Sequence, residues 1–278
     1  MTTSDVFLSR RERFPSVPST NDIVRNWLSD GTPEVCLAVA DEQTAGRGRS
    51  GRTWVAPPGA ALLMSLGFRP GYLAFDRMWR LTAIVALAMA DAAEAVAGLP
   101  DGKLRLKWPN DIVVEAAGGL RKVAGILGET AGLGTAERVA IVGIGTNADW
   151  PRDQFPADLA ESMSSLREVS GGRPIEAAEL LETFLLRLES RALALRDGQF
   201  DVAGWHHRQV TTGRMVELLL PEGSTELVRA VGVDGASGAL LVEDPAVPGV
   251  EREVVVGEVA HVRLATADGA SGGRGVTN

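Results

Sequence analysis

Behind the polar cluster Ser19, Thr20 and Asn21, apolar residues recur at helical spacing. Ile23, Val24, Trp27 and Leu28 share one face, and Gly31 marks where the helix ends. Residues 35–40 (VCLAVA) form a continuous apolar run that predicts a buried strand containing Cys36, and residues 61–68 predict a second. Between 77 and 96 apolar residues occupy every face, which predicts a long helix buried all round. Leu104, Leu106 and Trp108 alternate until Pro109 stops the strand. Residues 112–115 and 123–129 read as a hairpin joined through AAGGLR, and 139–144 as a further strand. Helical spacing returns at 174–195 and 200–209. After Thr211 the pattern changes to short alternating segments (MVELLL, ELVRAVGV, ALLVED, REVVVG, VAHVRL) punctuated by Gly and Pro, as in a small barrel.

The predicted organisation is a mobile arm over residues 1–16, a mixed α/β unit over 17–210, a small all-β unit over 211–265 and a disordered tail over 266–278. Of 278 residues, 45% are hydrophobic and 23% charged, which excludes wholesale disorder. A net charge of −8 argues against general affinity for nucleic acid. The single Cys36 leaves no internal disulfide or thiolate cage and is expected to be a core hydrophobe. The apolar stretch 81–90 is far short of the roughly 20 residues that span a bilayer, and the first residues lack the apolar core of a secretory signal. A cytoplasmic protein without membrane contact is the expectation. His206 and His207 are adjacent on a helix and cannot share one face, and His261 falls on a strand, so no metal-ligand set is predicted.

Candidate chemistry lies in two places. Residues 46–52 (GRGRSGR) formally satisfy the dinucleotide fingerprint G-x-G-x-x-G. That motif must open a helix, whereas TWVAPP follows here, and no acidic residue stands at the required distance. What remains is a glycine-spaced loop carrying Arg47, Arg49 and Arg52, expected to be mobile when empty and to order over an anionic ligand; a solvated basic turn is the plainer reading. Further along, residues 107–111 (KWPND) put polar groups at a strand end, and Lys122 opens KVAGILGE. Gly125 within that strand, and Gly143 and Gly145 within VGIGTN, suggest a flat ligand lying close on the sheet, although a β-bulge would account for either site alone.

In this order, DEQTAG through GRGRSGR and Trp54, KWPND, KVAGILGE, GIGTN and the later GEVAHVR make the chain resemble the biotin protein ligases from about Ser19 to Arg263. The resemblance implies an α+β fold: a class II aminoacyl-tRNA synthetase-like mixed sheet flanked by helices, followed by a small SH3-like β-barrel. It implies a biotin–[biotin carboxyl-carrier protein] ligase that forms biotinyl-5′-AMP from biotin and ATP, then transfers biotin to a lysine of a biotin carboxyl-carrier domain. Carried over residue by residue, it places Ser19, Thr20, Gln43, Gly46 and Arg47 around biotin, with Gly125 and Gly143 beneath it. Lys122 would bridge the biotin carboxylate and the α-phosphate, and Arg49 and Arg52 would hold phosphates. Trp54 would pack on adenine, Asn110 and Asn147 would position the nucleotide, and Asp111 would orient the reacting groups. Mg²⁺ would arrive with ATP, held mainly by phosphates.

Some members of that family carry a DNA-binding helix-turn-helix ahead of the catalytic part. About 18 residues precede Ser19, too few for two helices and a turn, so no DNA partner is expected. Lipoate–protein ligase and a non-catalytic binding module of the same fold are the alternatives. Lipoate ligases lack the GRGRSGR–TW arrangement, and a relic has no need of Arg49, Asp111 and Lys122 together. For assembly, monomer and weak homodimer both stand, the latter by self-pairing of the strand before Gly143 at a sheet edge.

Overall fold

The computed structural model describes residues 7–132, 137–220, 223–244, 246–247, 249–255 and the backbone of 258–263. Its larger sheet holds β1 (Arg10–Phe14), β2 (Cys36–Ala40), β3 (Ala61–Phe68), β4 (Leu104–Lys107), β5 (Asp111–Ala116), β6 (Gly119–Ala131) and β7 (Val139–Asn147). They are ordered β1-β2-β3-β7-β6-β5-β4. β1 runs parallel to β2, and the other pairings are antiparallel. Side chains alternate across a strand, so β2 sends Leu37 and Val39 into the main core and Cys36 and Ala38 to the opposite face.

On the main-core face lies α2 (Trp79–Ala97), wedged between the sheet and α4 (Ala177–Arg196). Being covered from both sides is why its sequence is apolar all round. It ends at Gly98, whose left-handed backbone turns the chain away. On the other face α1 (Thr20–Ser29) sets Val24, Trp27 and Leu28 against Cys36, Ala38 and Ile141. Gly67 makes this approach possible: a Cβ there would stand 2.6 Å from Cys36 Sγ and 2.8 Å from Val24. Burial pushes the Cys36 thiol up to about 11, consistent with a core role. No helix among the described residues is long and apolar enough to cross a membrane.

Two sequence expectations need correction. Residues 10–14, assigned to a mobile arm, form β1 on the free edge of β2, with Ser9 N–H donating to the Val35 carbonyl at 2.7 Å just before the strand. Its RRERF side chains face mostly solvent, so no hydrophobic period could reveal it; their charge suits an edge that must not recruit another strand. Arg10 stacks over Trp27 at 4.0 Å, and Arg13 Nε donates to Asp41 at 2.9 Å. The strand before Gly143, considered for self-pairing at an edge, is β7. It lies between β3 and β6 with both flanks already hydrogen-bonded. Residues 1–6 and the expected disordered tail over 266–278 lie outside the described residues.

A second, antiparallel sheet follows: β8 (Arg214–Leu219), β9 (Thr225–Val233), β10 (Leu240–Glu243), β11 (Glu251–Val254) and β12 (Glu258–Arg263), ordered β11-β10-β9-β8-β12, compatible with a small SH3-like unit. Its 234–238 turn rests on the larger unit. The Trp79 and Trp108 indole N–H groups donate to the carbonyls of Ala236 and Gly238, each at 3.1 Å, and Arg80 donates to that of Gly235 at 3.2 Å.

The short helices α3 (Leu166–Val169) and α5 (Val202–Arg208) complete the fold. Arg208 locks α5 to α2, donating to both oxygens of Glu94 (3.0 and 2.8 Å), to Asp91 (2.7 Å), to Asp101 (3.0 Å) and to the Leu104 carbonyl (2.8 Å). The side chains of Arg208 and Glu94 are only 6% and 5% exposed. Removing one partner of such a pair strands the other charge in a poorly hydrated place. Urea unfolding of Arg208→Ala is therefore expected to show a loss of about 3–5 kcal/mol, with Arg208→Lys, which keeps charge but not the fork, recovering part of it.

Candidate active site

Four segments converge on one cleft: the start of α1, the 41–60 connection from β2 to β3, the turn before β5, and the facing stretches of β6 and β7. Ser19, Thr20, Gln43, Arg47, Arg49, Arg52, Trp54, Asn110, Asp111, Lys122, Gly125 and Gly143 all line it. Gly46 does not line it but lines an adjoining cavity that shares Arg47, Arg49, Arg52 and Asn110 with it. Asn147 lines a recess on the other side, shared with Arg52, Trp54, Asp111 and Lys122. Residues far apart in sequence thus meet in one place.

The arginine-rich loop closes on itself. Trp54 N–H donates to the Gly46 carbonyl at 2.9 Å and Gly48 N–H to that of Arg52 at 2.7 Å. A single 3-10 turn at Arg49–Gly51 reverses the chain, with Ser50 and Gly51 at positive φ. Gly46 is required for this closure, because a Cβ there would lie 2.5 Å from the Trp54 carbonyl oxygen. Against the expectation that the guanidinium groups need an external anion, Arg47 already forks onto Asp22 of α1, with two bonds of 2.7 Å. That hydrogen bond leads the interactions that hold the Asp22 carboxyl below its ordinary range; partial burial opposes it and Arg25 assists.

Lys122 takes its aim from a β-bulge. In a regular strand Lys122 and Gly125, three residues apart, would face opposite sides. The β5–β6 register shifts between Ile112 and Val113, and beyond that shift Lys122 Cε and Nζ overhang Gly125, 2.8 Å from where its Cβ would be. The Lys122 backbone is held on its outer side by segment 162–164, through Lys122 N–H to the Ser162 carbonyl and Ser164 N–H to the Lys122 carbonyl, both 2.8 Å. Its ammonium sits 2.7 Å from an Asp111 carboxylate oxygen and 5.3 Å from the Trp54 ring centre.

The glycines on the sheet already have occupants. Gly125 and Gly145 pair across β6 and β7, and the Trp54 indole lies on them, within 2.9 and 2.6 Å of their missing Cβ positions. Gly143 admits the side-chain amide of Asn21. The flat group that lies on the thinned sheet at Gly125 and Gly145 is the protein's own indole. Asn110 and Asn147 are likewise partly engaged: Asn110 Nδ2 donates to the Ile126 carbonyl at 2.8 Å, and Asn147 Nδ2 to that of Ser164 at 2.9 Å.

Beside Thr20 the structure adds residues that sequence reasoning did not single out. Gln43 Oε1 accepts from the Thr20 N–H at 2.8 Å, and Thr20 Oγ1 lies 2.7 Å from Ser65 Oγ. Ser65 donates to Asn21 Oδ1 at 2.5 Å, and Asn21 Nδ2 donates to Glu129 at 2.6 Å. Glu129 also accepts from Arg25 at 2.7 Å. Asn21 and Glu129 stand inside recognisable motifs, yet only the fold brings them within 2.6 Å of each other. The one signal available was a carboxylate closing the apolar run VAGILG.

A sequence model of the Biotin/lipoate A/B protein ligase family matches residues 13–147. The bifunctional ligase/repressor BirA of Bacillus spizizenii is 35% identical over 175 residues, covering 63% of this chain and 51% of that protein, so the chain spans about half the length of that relative. The biotin–[acetyl-CoA-carboxylase] ligase of Mycobacterium tuberculosis is 30% identical over 247 residues, covering 88% of this chain and 86% of that one. Among solved structures, biotin protein ligase from Aquifex aeolicus in complex with biotin and ATP superposes with a TM-score of 0.73 at 24% identity, covering 91% of this chain and 98% of that one, which shows a common fold. With a relative 30% identical and covered over 86% of its length, and a matching mixed sheet, the chain belongs to the biotin protein ligase family.

Proposed function

We propose that this chain is an ATP-dependent ligase that joins biotin to AMP and then passes the biotinyl group to a lysine of a biotin carboxyl-carrier domain of a carboxylase, in the cytoplasm. In the first step a biotin carboxylate oxygen attacks the α-phosphorus of ATP and pyrophosphate leaves. In the second the carrier amine attacks the acyl carbon, AMP leaves and an amide forms. Residues 17–210 form the catalytic part in this reading and 211–265 the small β unit.

The observation that carries it is the placement of Lys122. Its bulge aims an ammonium over Gly125 into a cleft that Arg49 and Arg52 also line. Charge accumulates on the α-phosphate and on the entering carboxylate in the transition state, and an ammonium held against both stabilises it more than either ground state. Asp111, 2.7 Å from Nζ, keeps the lysine in place. Arg49 and Arg52 suit the outgoing phosphates, Arg47 holds the loop to α1 beside the biotin-binding Ser19, Thr20 and Gln43, and Trp54 flanks the adenine. Asn110 and Asn147, fixed through their amide nitrogens, keep an oxygen each for the nucleotide. The closed loop shields the mixed anhydride from water.

The donor set fits magnesium delivered as its ATP complex. The cleft offers guanidinium, ammonium and amide groups, while Asp111 and Glu129 are engaged with Lys122, Asn21 and Arg25. Such an ion takes its ligands chiefly from phosphates and water and supplies charge neutralisation there. The carboxylates of Asp91, Glu94 and Asp101 also lie close together, but Arg208 stands among them.

Three outcomes test this reading. Pyrophosphate release should require biotin and fail with lipoate or with no acid; Lys122→Ala should lower it by at least about a thousandfold with unfolding unchanged, and near-normal turnover would remove Lys122 from the mechanism. Arg49→Gly should release the adenylate early, seen as biotin label on bystander proteins. The Arg47–Asp22 tether gives a pH test. A carboxyl whose folded pKa is depressed contributes above its ordinary value, 3.8, and loses that contribution as pH falls through the folded value. Protease cleavage within 46–52 should therefore stay slow and flat from about pH 8 to about pH 5 and rise in more acid solution, whereas Asp22→Asn should speed it at neutral pH.

A further inference from the structure

We propose that Glu129 is a positioning residue that sets the hydrogen-bond polarity of the biotin floor through Asn21, Ser65 and Thr20. The inference rests on the biotin reading above and concerns a carboxylate that does not line the cleft itself but an adjoining cavity.

A carboxylate only accepts, so the Asn21 atom 2.6 Å from Glu129 is the amide nitrogen. The Asn21 oxygen is thereby turned inward, into the space left by the missing Cβ of Gly143. An amide oxygen also only accepts, so the Ser65 hydroxyl must donate to it at 2.5 Å. A hydroxyl has one hydrogen. With that hydrogen committed, Ser65 Oγ meets Thr20 Oγ1, 2.7 Å away, as an acceptor. The Thr20 hydrogen therefore goes to Ser65, because turning it to Gln43 Oε1, 3.1 Å away, would set two hydroxyl lone pairs face to face at 2.7 Å. Thr20, which lines the cleft, is left with acceptor capacity at its hydroxyl.

Gln43 completes the pattern. Its oxygen is held by the Thr20 backbone N–H, which leaves its amide nitrogen to donate. The floor thus presents an acceptor beside a donor, complementary to the N–H and C=O of a cyclic urea. Thr20, Asn21 and Ser65 are all buried, so bulk water is not at hand to exchange these roles. Arg25 donates to the same carboxylate oxygen at 2.7 Å and Arg47 Nη2 lies 3.8 Å from the other oxygen, fixing the origin of the relay. A neutral amide at position 129 could equally donate or accept, and the direction of every bond inward of it would cease to be unique.

The test reverses and then restores that direction. Glu129→Gln should weaken biotin binding roughly ten- to hundredfold by calorimetry while leaving ATP affinity and the thermal midpoint close to those of the parent protein. Asn21→Asp alone, which sets two acceptors face to face, should weaken biotin binding as well. The double variant Asn21→Asp/Glu129→Gln conserves net charge and re-creates the order: the amide introduced at position 129 donates to the carboxylate introduced at position 21, and that carboxylate accepts from Ser65. It should regain most of the lost affinity. Ser65→Ala, which cuts the relay without touching a charge, should reproduce the biotin-selective loss. Unchanged biotin affinity in Glu129→Gln, equal losses for biotin and ATP, or a double variant no better than the single ones would overturn the proposal. Failure of the parent protein to bind biotin in the same titration would instead overturn the functional reading.

Discussion

Close approach to the sheet is the constraint on which the cleft depends. Gly67 lets α1 settle against Cys36, which brings Thr20 and Asn21 over the strands. Gly143 receives the Asn21 amide, and Gly125 and Gly145 receive the Trp54 indole. Glycine in a strand interior weakens it by removing a side chain that could pack. Here each missing side chain is replaced by one arriving from elsewhere in the chain, so the loss of local propensity is offset by tertiary contact. The main core on the opposite face, with α2 buried between the sheet and α4, supplies the burial that makes such strands tolerable.

The electrostatics follow the same logic. A chain of net charge −8 carries the cations in and beside its cleft on a short loop, on α1 and on β6. Arg47 meets Asp22, Arg25 meets Glu129 and Lys122 meets Asp111, in each case a carboxylate from a different element. These pairs are partly exposed, so their net stabilisation is modest. Their value lies in fixing direction: a guanidinium forked onto a carboxylate in two places cannot swing away.

Much of this is legible in the sequence. The helical spacing after Ser19, the all-round apolar stretch of α2 and the alternation after Thr211 each have a period, and a period is what a sequence can show. Lys122, Arg49, Asp111 and Trp54 stand out because the motifs that carry them, taken in order, resemble those of the biotin protein ligases. Three things are not legible, for three reasons. β1 is an edge strand with no apolar period. The central place of β7 is a matter of strand order, which hydrophobicity does not encode. The Asn21–Glu129 contact joins residues 108 apart in sequence, and neither side chain is unusual alone.

The indole of Trp108 lies directly before Pro109, Asn110 and Asp111, and its N–H is committed to a carbonyl of the second sheet's 234–238 turn. The two sheets are therefore mechanically coupled at the segment whose Asp111 pairs with Lys122. A local opening that lifts that turn must break this bond on the KWPND segment, so protection of the two regions against hydrogen exchange is expected to be coupled.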